Sequence, residues 1–209
     1  ATEDNDFFDH WGISTKGILR AAVTNFLKRK AAQGGSTITQ QLAKQLYSEV
    51  APNTFARLMQ KPIEWVIAVK LERYYTKEEI VALYLNYFDF LHNAVGIKTA
   101  SDTYFGKSPA ELNINEAAML VGLCKNPSFF NPVRYSERAT QRRNVVLAQM
   151  LKANYISQSD YDSLSSQPIK LDFHRTDHKE GLAPYLREYL RQYLMAEMPQ
   201  RSDYPDWNY

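Results

Sequence analysis

Three stretches of the chain carry side chains in patterns able to do chemistry. The first, Glu3-Asp4-Asn5-Asp6-Phe7-Phe8-Asp9-His10, packs four carboxylates, two aromatic rings and an imidazole into eight positions. Carboxylates at that density raise the idea of a metal site. The calcium-loop version fails, because no glycine turn and distal glutamate follow in register. Alone, the stretch also reads as a solvated acidic terminus, and His10 reads as a structural residue bonded to that acidic block rather than a second base. The second, Gly34-Gly35-Ser36-Thr37-Ile38-Thr39-Gln40-Gln41, is a glycine turn feeding a helix start whose free N–H groups suit a phosphate. It lacks the lysine that a P-loop places directly after the glycines, so an ordinary helix cap competes with an anion site. The third, Lys61-Pro62-Ile63-Glu64, sets a base and an acid three apart on one helical face, the spacing of an i,i+3 ion pair.

Helices must position these groups. Ser14 caps a segment running through Ile18, Ala22, Phe26 and Leu27 into Lys28-Arg29-Lys30 and ending at Gly34-Gly35. Thr37 to Tyr47 is polar on one side (Gln40, Gln41, Lys44) and apolar on the other (Ile38, Leu42, Leu46). Pro62 suits the first turn of a helix carrying Ile63, Val66, Ile67 and Leu71. Thr76 and Glu79 form a capping box ahead of Ile80 to Tyr87, and Ser108-Pro109-Ala110-Glu111 repeats the pattern. Asn115 to Leu123 and Glu137 to Lys152 are helical, the latter with Val145, Leu147, Met150 and Leu151 facing the core, and residues 157–166 and 184–198 follow suit. Only Ile169 to Phe173 alternates as a strand does. The fold class is mainly α.

At 209 residues, 44% apolar and 23% charged, the chain can bury a sizeable core, which excludes disorder and collagen-like repeats. The single cysteine, Cys124, excludes an internal disulfide framework and a cysteine-clustered zinc site. Charge is unevenly placed: residues 1–15 carry a net −4, residues 16–77 a net +8, and the remainder −2. A basic middle third calls for an anionic partner, whether nucleic acid, a phospholipid surface or a phosphorylated substrate, unless it is simply a solvated face.

Taken in order, five blocks acquire a meaning that none has alone. They are Glu3-Asp4-x-x-Phe7-x-x-His10-x-Gly12, then Gly34-x-Ser36-Thr37-Ile38-Thr39-Gln40-Gln41, then Lys61-x-x-Glu64, then Lys77-x-x-Ile80-x-x-x-Tyr84-Leu85-Asn86, and finally Arg142-Arg143-x-x-Val146-Leu147-x-x-Met150. Over roughly residues 1–165 this resembles the peptidoglycan glycosyltransferase domain (glycosyltransferase family 51) of class A penicillin-binding proteins. Tyr104-Phe105-Gly106-Lys107 and Asn115-Glu116-Ala117-Ala118-Met119-Leu120 are similar to that family too. The chain departs from its pattern at Ala82, where a glutamate is usual, and at Gln60, where an arginine commonly precedes the lysine. Leu91 and Val95 replace a glycine and a tyrosine, and Cys124 replaces a proline.

The resemblance implies a lysozyme-like, all-α fold with a larger head lobe and a smaller membrane-facing jaw lobe. It implies polymerisation of lipid II, a lipid-linked disaccharide-pentapeptide, into glycan strands, with inversion and release of undecaprenyl pyrophosphate. It assigns Glu3 as the general base and Glu64 as the second acid, with Ser36, Gln41, Lys44, Arg57 and Lys61 as substrate-binding residues. No protein-held metal is implied; the pattern leaves room for a divalent cation, magnesium or manganese, at the pyrophosphate. Trp11, Phe26, Leu27 and Leu46 are candidates for an apolar surface at the lipid interface. The partners implied are lipid II, the growing glycan strand and the extracytoplasmic (periplasmic) face of the bacterial cytoplasmic membrane, with no nucleic acid.

The chain opens on Ala-Thr-Glu-Asp and ends on Trp207-Asn208-Tyr209, and reads as a piece of a longer, single-pass anchored parent. Residues 1–166 would be an N-terminally truncated glycosyltransferase domain, and 167–209 a connector toward an absent transpeptidase domain. No Ser-x-x-Lys occurs, so these residues are not expected to bind penicillin. Two rival readings remain: a lysozyme-like enzyme that cleaves glycan, and a non-catalytic basic helical module that binds membranes.

Overall fold

The computed structural model describes residues 2–4, 6–20, 35–47, 53–174 and 184–197. It divides into two units, Ala1–His174 and Arg175–Tyr209. In the first, α1 covers residues 15–20 in its described part. It is followed by α2 (Ile38–Tyr47), α3 (Thr54–Tyr74), α4 (Lys77–Tyr87), α5 (Ile97–Phe105), a 3₁₀ turn (Pro109–Glu111), α6 (Ile114–Leu123), α7 (Ser136–Lys152) and α8 (Gln158–Ser166). Among the described residues there is no strand, only an isolated antiparallel bridge between Asp89 and Val95. The fold is mainly α.

Local chemistry explains where these helices begin. Ser14 Oγ accepts from Gly17 N at 2.9 Å at the start of α1. Thr37 and Gln40 exchange backbone and side-chain bonds of 3.1 and 3.4 Å at the start of α2, a glutamine version of the capping box. Full boxes stand at Thr76/Glu79, Ser108/Glu111, Asn113/Glu116 and Ser157/Asp160.

Burial then assembles the helices. α2 packs on α3 and α4, and α6 on α7, which also meets α8. The main core gathers Leu42, Ala68, Leu71, Ile80, Tyr84, Phe90, Tyr104, Leu120 and Leu123. A smaller cluster of Ala118, Val146, Leu147 and Ile156 sits where α6, α7 and the approach to α8 meet. α9 (Pro184–Glu197) is the described part of the second unit, with Tyr185, Leu186, Tyr189, Leu190, Tyr193 and Leu194 all exposed.

Several expectations need correction. Pro62 does not open a helix; it lies inside the 21-residue α3. An interior proline costs about 3 kcal/mol, and packing against α2 and a continuous ion-paired face outweigh that cost here. Gln40, expected on a polar face, is buried at the helix start because its amide is half of the cap. On α7 Leu147 is buried and Met150 and Leu151 pack against the smaller cluster, but the buried valine is Val146, whereas Val145 is exposed. Residues 168–174 are extended and do alternate, with Ile169, Leu171 and Phe173 packed inward, but they join no sheet. Their backbone bonds instead run to α5, from Asp172 N to Tyr104 O and from His174 N to Thr103 O. The expected continuation of α1 through Phe26, Leu27 and Lys28 to Gly34 lies outside the described residues.

Candidate active site

Glu3 lies close to the beginning of the chain, where a segment frays unless it is tied down. A set of side chains ties it. Phe7 is buried in the main core. Asp4 Oδ2 accepts from His10 Nε2 at 2.9 Å and from Ile38 N, at the start of α2, at 3.1 Å. Because His10 Nδ1 accepts from Gly12 N at 3.1 Å, the ring proton belongs on Nε2, facing Asp4. Lys77, from the first turn of α4, donates to His10 O at 2.6 Å and to Glu72 at 2.8 Å, and lies 4.5 Å from the centre of the Phe7 ring. Glu72 also accepts from Thr39 Oγ1 at 2.6 Å, so one buried carboxylate on α3 joins α2, α4 and the segment that carries Glu3. Gly12, at φ +85°, lies so close to α3 that a Cβ would stand 2.8 Å from the Ala68 carbonyl, and its own carbonyl accepts from Thr37 Oγ1 at 2.7 Å.

This arrangement alters one sequence expectation. The start of α2 is not an open anion site, since Asp4 takes Ile38 N and Thr37 takes Gln40 N. Ser36, just before it, keeps its hydroxyl directed at Lys61, 3.4 Å away.

Glu64 is 1% exposed, and both carboxylate oxygens are claimed. Arg57 Nη1 donates to Oε1 at 2.7 Å, and Lys61 Nζ donates to Oε2 at 2.8 Å. Positions 57, 61 and 64 are four and three apart, which puts them on one face of α3. Ser36, Arg57, Lys61 and Glu64 therefore come together as one polar notch, with Arg57 also reaching Gln60 Oε1 at 3.3 Å.

Glu3 takes a different partner: Arg142 Nη2 of α7 donates to its Oε1 at 2.5 Å. Burial raises the Glu3 pKa above its ordinary value, and the charges of Arg142 and then Lys125 oppose the rise. Tyr84 feels the Glu3 charge, and its hydroxyl donates to Gln41 Oε1 at 3.1 Å. Burial, helped by Cys124 and Glu3, pushes the Tyr84 hydroxyl up in pKa. Burial and then the Glu3 charge push the neighbouring Cys124 thiol up to about 12, which leaves it inert.

Of the expected site residues, Ser36, Arg57 and Lys61 thus surround Glu64, and Gln41 is joined to the Glu3 neighbourhood through Tyr84. α2, which carries Gln41 and begins two residues after Ser36, links the two groups. Lys44 is exposed on α2 and has no hydrogen bond or ion pair among the described residues. Trp11 is 75% exposed, Leu46 is half-buried against the core, and Phe26 and Leu27 lie outside the described residues. Sequence reasoning did not single out Arg142, Tyr84, Glu72 or Lys77 as parts of the site. Arg142, Tyr84 and Lys77 stood inside recognised blocks, but pairing them with their partners needs the tertiary fold.

A family model described as transglycosylase matches residues 1–151. Over 192 residues the chain is 42% identical to penicillin-binding protein 1A of Escherichia coli (strain K12), covering 92% of this chain and 22% of that protein. It is 39% identical to penicillin-binding protein 1A of Aquifex aeolicus (strain VF5), covering 93% and 26%. It is 35% identical to penicillin-binding protein 1F of Bacillus subtilis (strain 168), covering 91% and 26%. The chain therefore spans about a quarter of the length of these bacterial relatives. Ordered blocks, an α-helical fold and a match over most of the chain lead to one conclusion: the chain belongs to the transglycosylase family of the penicillin-binding proteins.

Proposed function

We propose that this chain is a peptidoglycan glycosyltransferase that polymerises lipid II, with Glu3 as general base and the Glu64 notch receiving the leaving diphosphate. The observation that carries this reading is the desolvated Glu3 carboxylate held by Arg142. An alcohol is a weak acid, so a carboxylate of ordinary pKa accepts its proton poorly; burial makes Glu3 a stronger base. As the acceptor sugar's 4-hydroxyl oxygen bonds to the anomeric carbon of the growing strand, its proton passes to Glu3. The bond from that carbon to the diphosphate breaks on the opposite face, and the configuration inverts. The departing electron pair ends on diphosphate oxygen. Arg57, Lys61 and the Ser36 hydroxyl can stabilise that charge, with Lys44 and Gln41 as further contacts. Glu64 keeps the two cations side by side, which their mutual repulsion would otherwise oppose.

The donor set around Glu64 fits a magnesium or manganese ion poorly. It offers one carboxylate with both oxygens already paired to cations.

The membrane-facing part of the proposal has its own support. Phe55, Met59, Ile63 and Val66 are exposed and share the outer side of α3, followed on that side by the cations Lys70 and Arg73. An apolar stripe continued by cations suits an interface with anionic headgroups. The head-and-jaw division, the periplasmic-side location and a transpeptidase domain in the parent chain belong to the same proposal. Among the described residues no helix is long and apolar enough to cross a membrane.

The test is incubation with labelled lipid II, comparing the parent with Glu3→Gln and Glu64→Gln. Polymer from the parent alone is expected. Undiminished polymer from both variants would refute the roles given to the two acids, and cleavage of preformed glycan without polymer would favour a hydrolase.

A further inference from the structure

The cationic side of the site continues beyond Glu3 in a direction that the proton transfer does not use. The Arg142 guanidinium lies 5.7 Å from the centre of the Phe130 ring. Phe130 meets Phe129 edge-on, with ring centres 5.0 Å apart. Arg138 then places its guanidinium carbon 4.6 Å from the centres of both Phe129 and Tyr135. Arg138 and Arg142 are four residues apart on α7 and so share a helix face, about 6 Å from each other. Glu3 therefore stands at one end of a continuous row of cations and rings that ends at Arg138.

Two features separate Arg138 from an ordinary surface cation. Its guanidinium is held by two rings, so part of the rotamer freedom that an exposed arginine loses on binding is lost already. Its donors are also unclaimed: Arg138 is exposed and has no ion pair or hydrogen bond among the described residues. A guanidinium packed by its faces offers its edge, and that planar fork matches the two coplanar oxygens of a carboxylate. Phe129 and Tyr135, both exposed, border the fork with apolar surface. A peptide's carbon atoms can cover that rim, whereas a diphosphate's oxygens cannot.

We propose that Arg138 is a substrate-binding residue that takes a carboxylate on the peptide of the acceptor unit, one helical turn from Arg142 and the carboxyl group that receives the acceptor's proton. The identity of the acceptor rests on the reading of Glu3 above; the recognition of a carboxylate does not require turnover.

Equilibrium binding tests it. Three probes are titrated into the full chain and into Arg138→Gln and Arg138→Lys: a lipid-free disaccharide-peptide with free carboxylates, the same compound with every carboxylate amidated, and inorganic pyrophosphate. The parent is expected to favour the free acid about tenfold, the scale of one charged hydrogen bond. Arg138→Gln should abolish that preference, and Arg138→Lys should keep part of it, since a point charge remains without the fork. Circular dichroism checks that the variants are folded. A parent indifferent to amidation, a preference that survives Arg138→Gln, or a loss confined to pyrophosphate would overturn the proposal. Because the readout is binding, failure of the parent to polymerise lipid II would count against Glu3 and Glu64 and not against Arg138.

Discussion

Arg142 on α7 grips Glu3 across 139 residues of sequence, with Nη2 2.5 Å from Oε1, while its Nε donates to Gly122 O at 3.3 Å. The guanidinium thus fixes the Glu3 carboxyl against the α6–α7 pair and is the largest charge opposing the burial-driven rise of the Glu3 pKa. Arg142→Met removes that opposition, so the pKa climbs further. A base works only when ionised, so activity is lost as pH falls through its pKa. The acid limb of the kcat/KM profile should move to higher pH in Arg142→Met and move less in Arg142→Lys. An acid limb that stays in place would show that Glu3 does not set it.

The same shift has a consequence for stability. A carboxyl whose folded pKa lies above its unfolded value binds its proton more tightly in the native state. Its contribution is fully present below the ordinary value of 4.5 and is lost as pH rises through the folded pKa. At neutral pH an ionised Glu3 is therefore a burden on the fold. Glu3→Gln should lower polymerisation by about 100-fold or more while leaving Tm at pH 7 equal or higher. Calorimetry at pH 4 and pH 7 checks the sign, and any advantage of the variant should shrink at the lower pH.

Glu64→Gln leaves Arg57 and Lys61 facing each other without a counter-charge. Both cations are about a third exposed (34% and 31%), so water screens the repulsion. The expected cost is about 1 kcal/mol, or roughly 2–4 °C in Tm for a chain of this size. Added salt should restore part of the lost Tm by screening, but should not restore polymerisation. Thermal melts at low and high ionic strength decide the point.

Lys77 is a positioning residue. Lys77→Gln leaves the buried Glu72 carboxylate without its cation and frees the His10 carbonyl, loosening the segment that presents Glu3. Breaking a buried pair costs about 3 kcal/mol, so Tm should fall by roughly 6–12 °C. At a temperature where the variant is still folded, kcat should drop more than KM if Glu3 is the proposed base, because Glu3 is displaced while the Glu64 notch is intact. Equal changes in both would point to general damage.

Leu91, His92 and Asn93 all adopt positive φ (69°, 56° and 65°) in the turn closed by the Asp89–Val95 bridge. A left-handed conformation costs a residue with a Cβ roughly 1–2 kcal/mol, and Leu91 stands where the family usually has glycine. Leu91→Gly should raise Tm by about 2–4 °C, after allowing for glycine's greater freedom in the unfolded chain. A lower Tm would mean that the half-buried leucine packs more favourably than the strain costs.

The sequence by itself determined what depends on neighbours within a few residues. Capping pairs such as Thr76/Glu79 and Ser108/Glu111 spell out helix starts because the bonds that make them close within three residues. The Lys61–Glu64 pair was legible for the same reason, since helical pitch alone puts the two side chains together. Helix phase was legible only approximately: Val145 and Val146 are alike in composition, and burial against α6 and α8 chose between them.

Tertiary structure decided everything that joins distant segments. It carried α3 straight through Pro62, because the gain from packing and from the Arg57, Lys61 and Glu64 face exceeds the cost of one lost backbone bond. It filled the start of α2 with the Asp4 carboxylate, where local sequence left the N–H groups free for phosphate. It placed Arg142 on Glu3. The pKa of that acid is set by how much water the fold removes and which charge it brings near, and neither is written in the residues beside position 3.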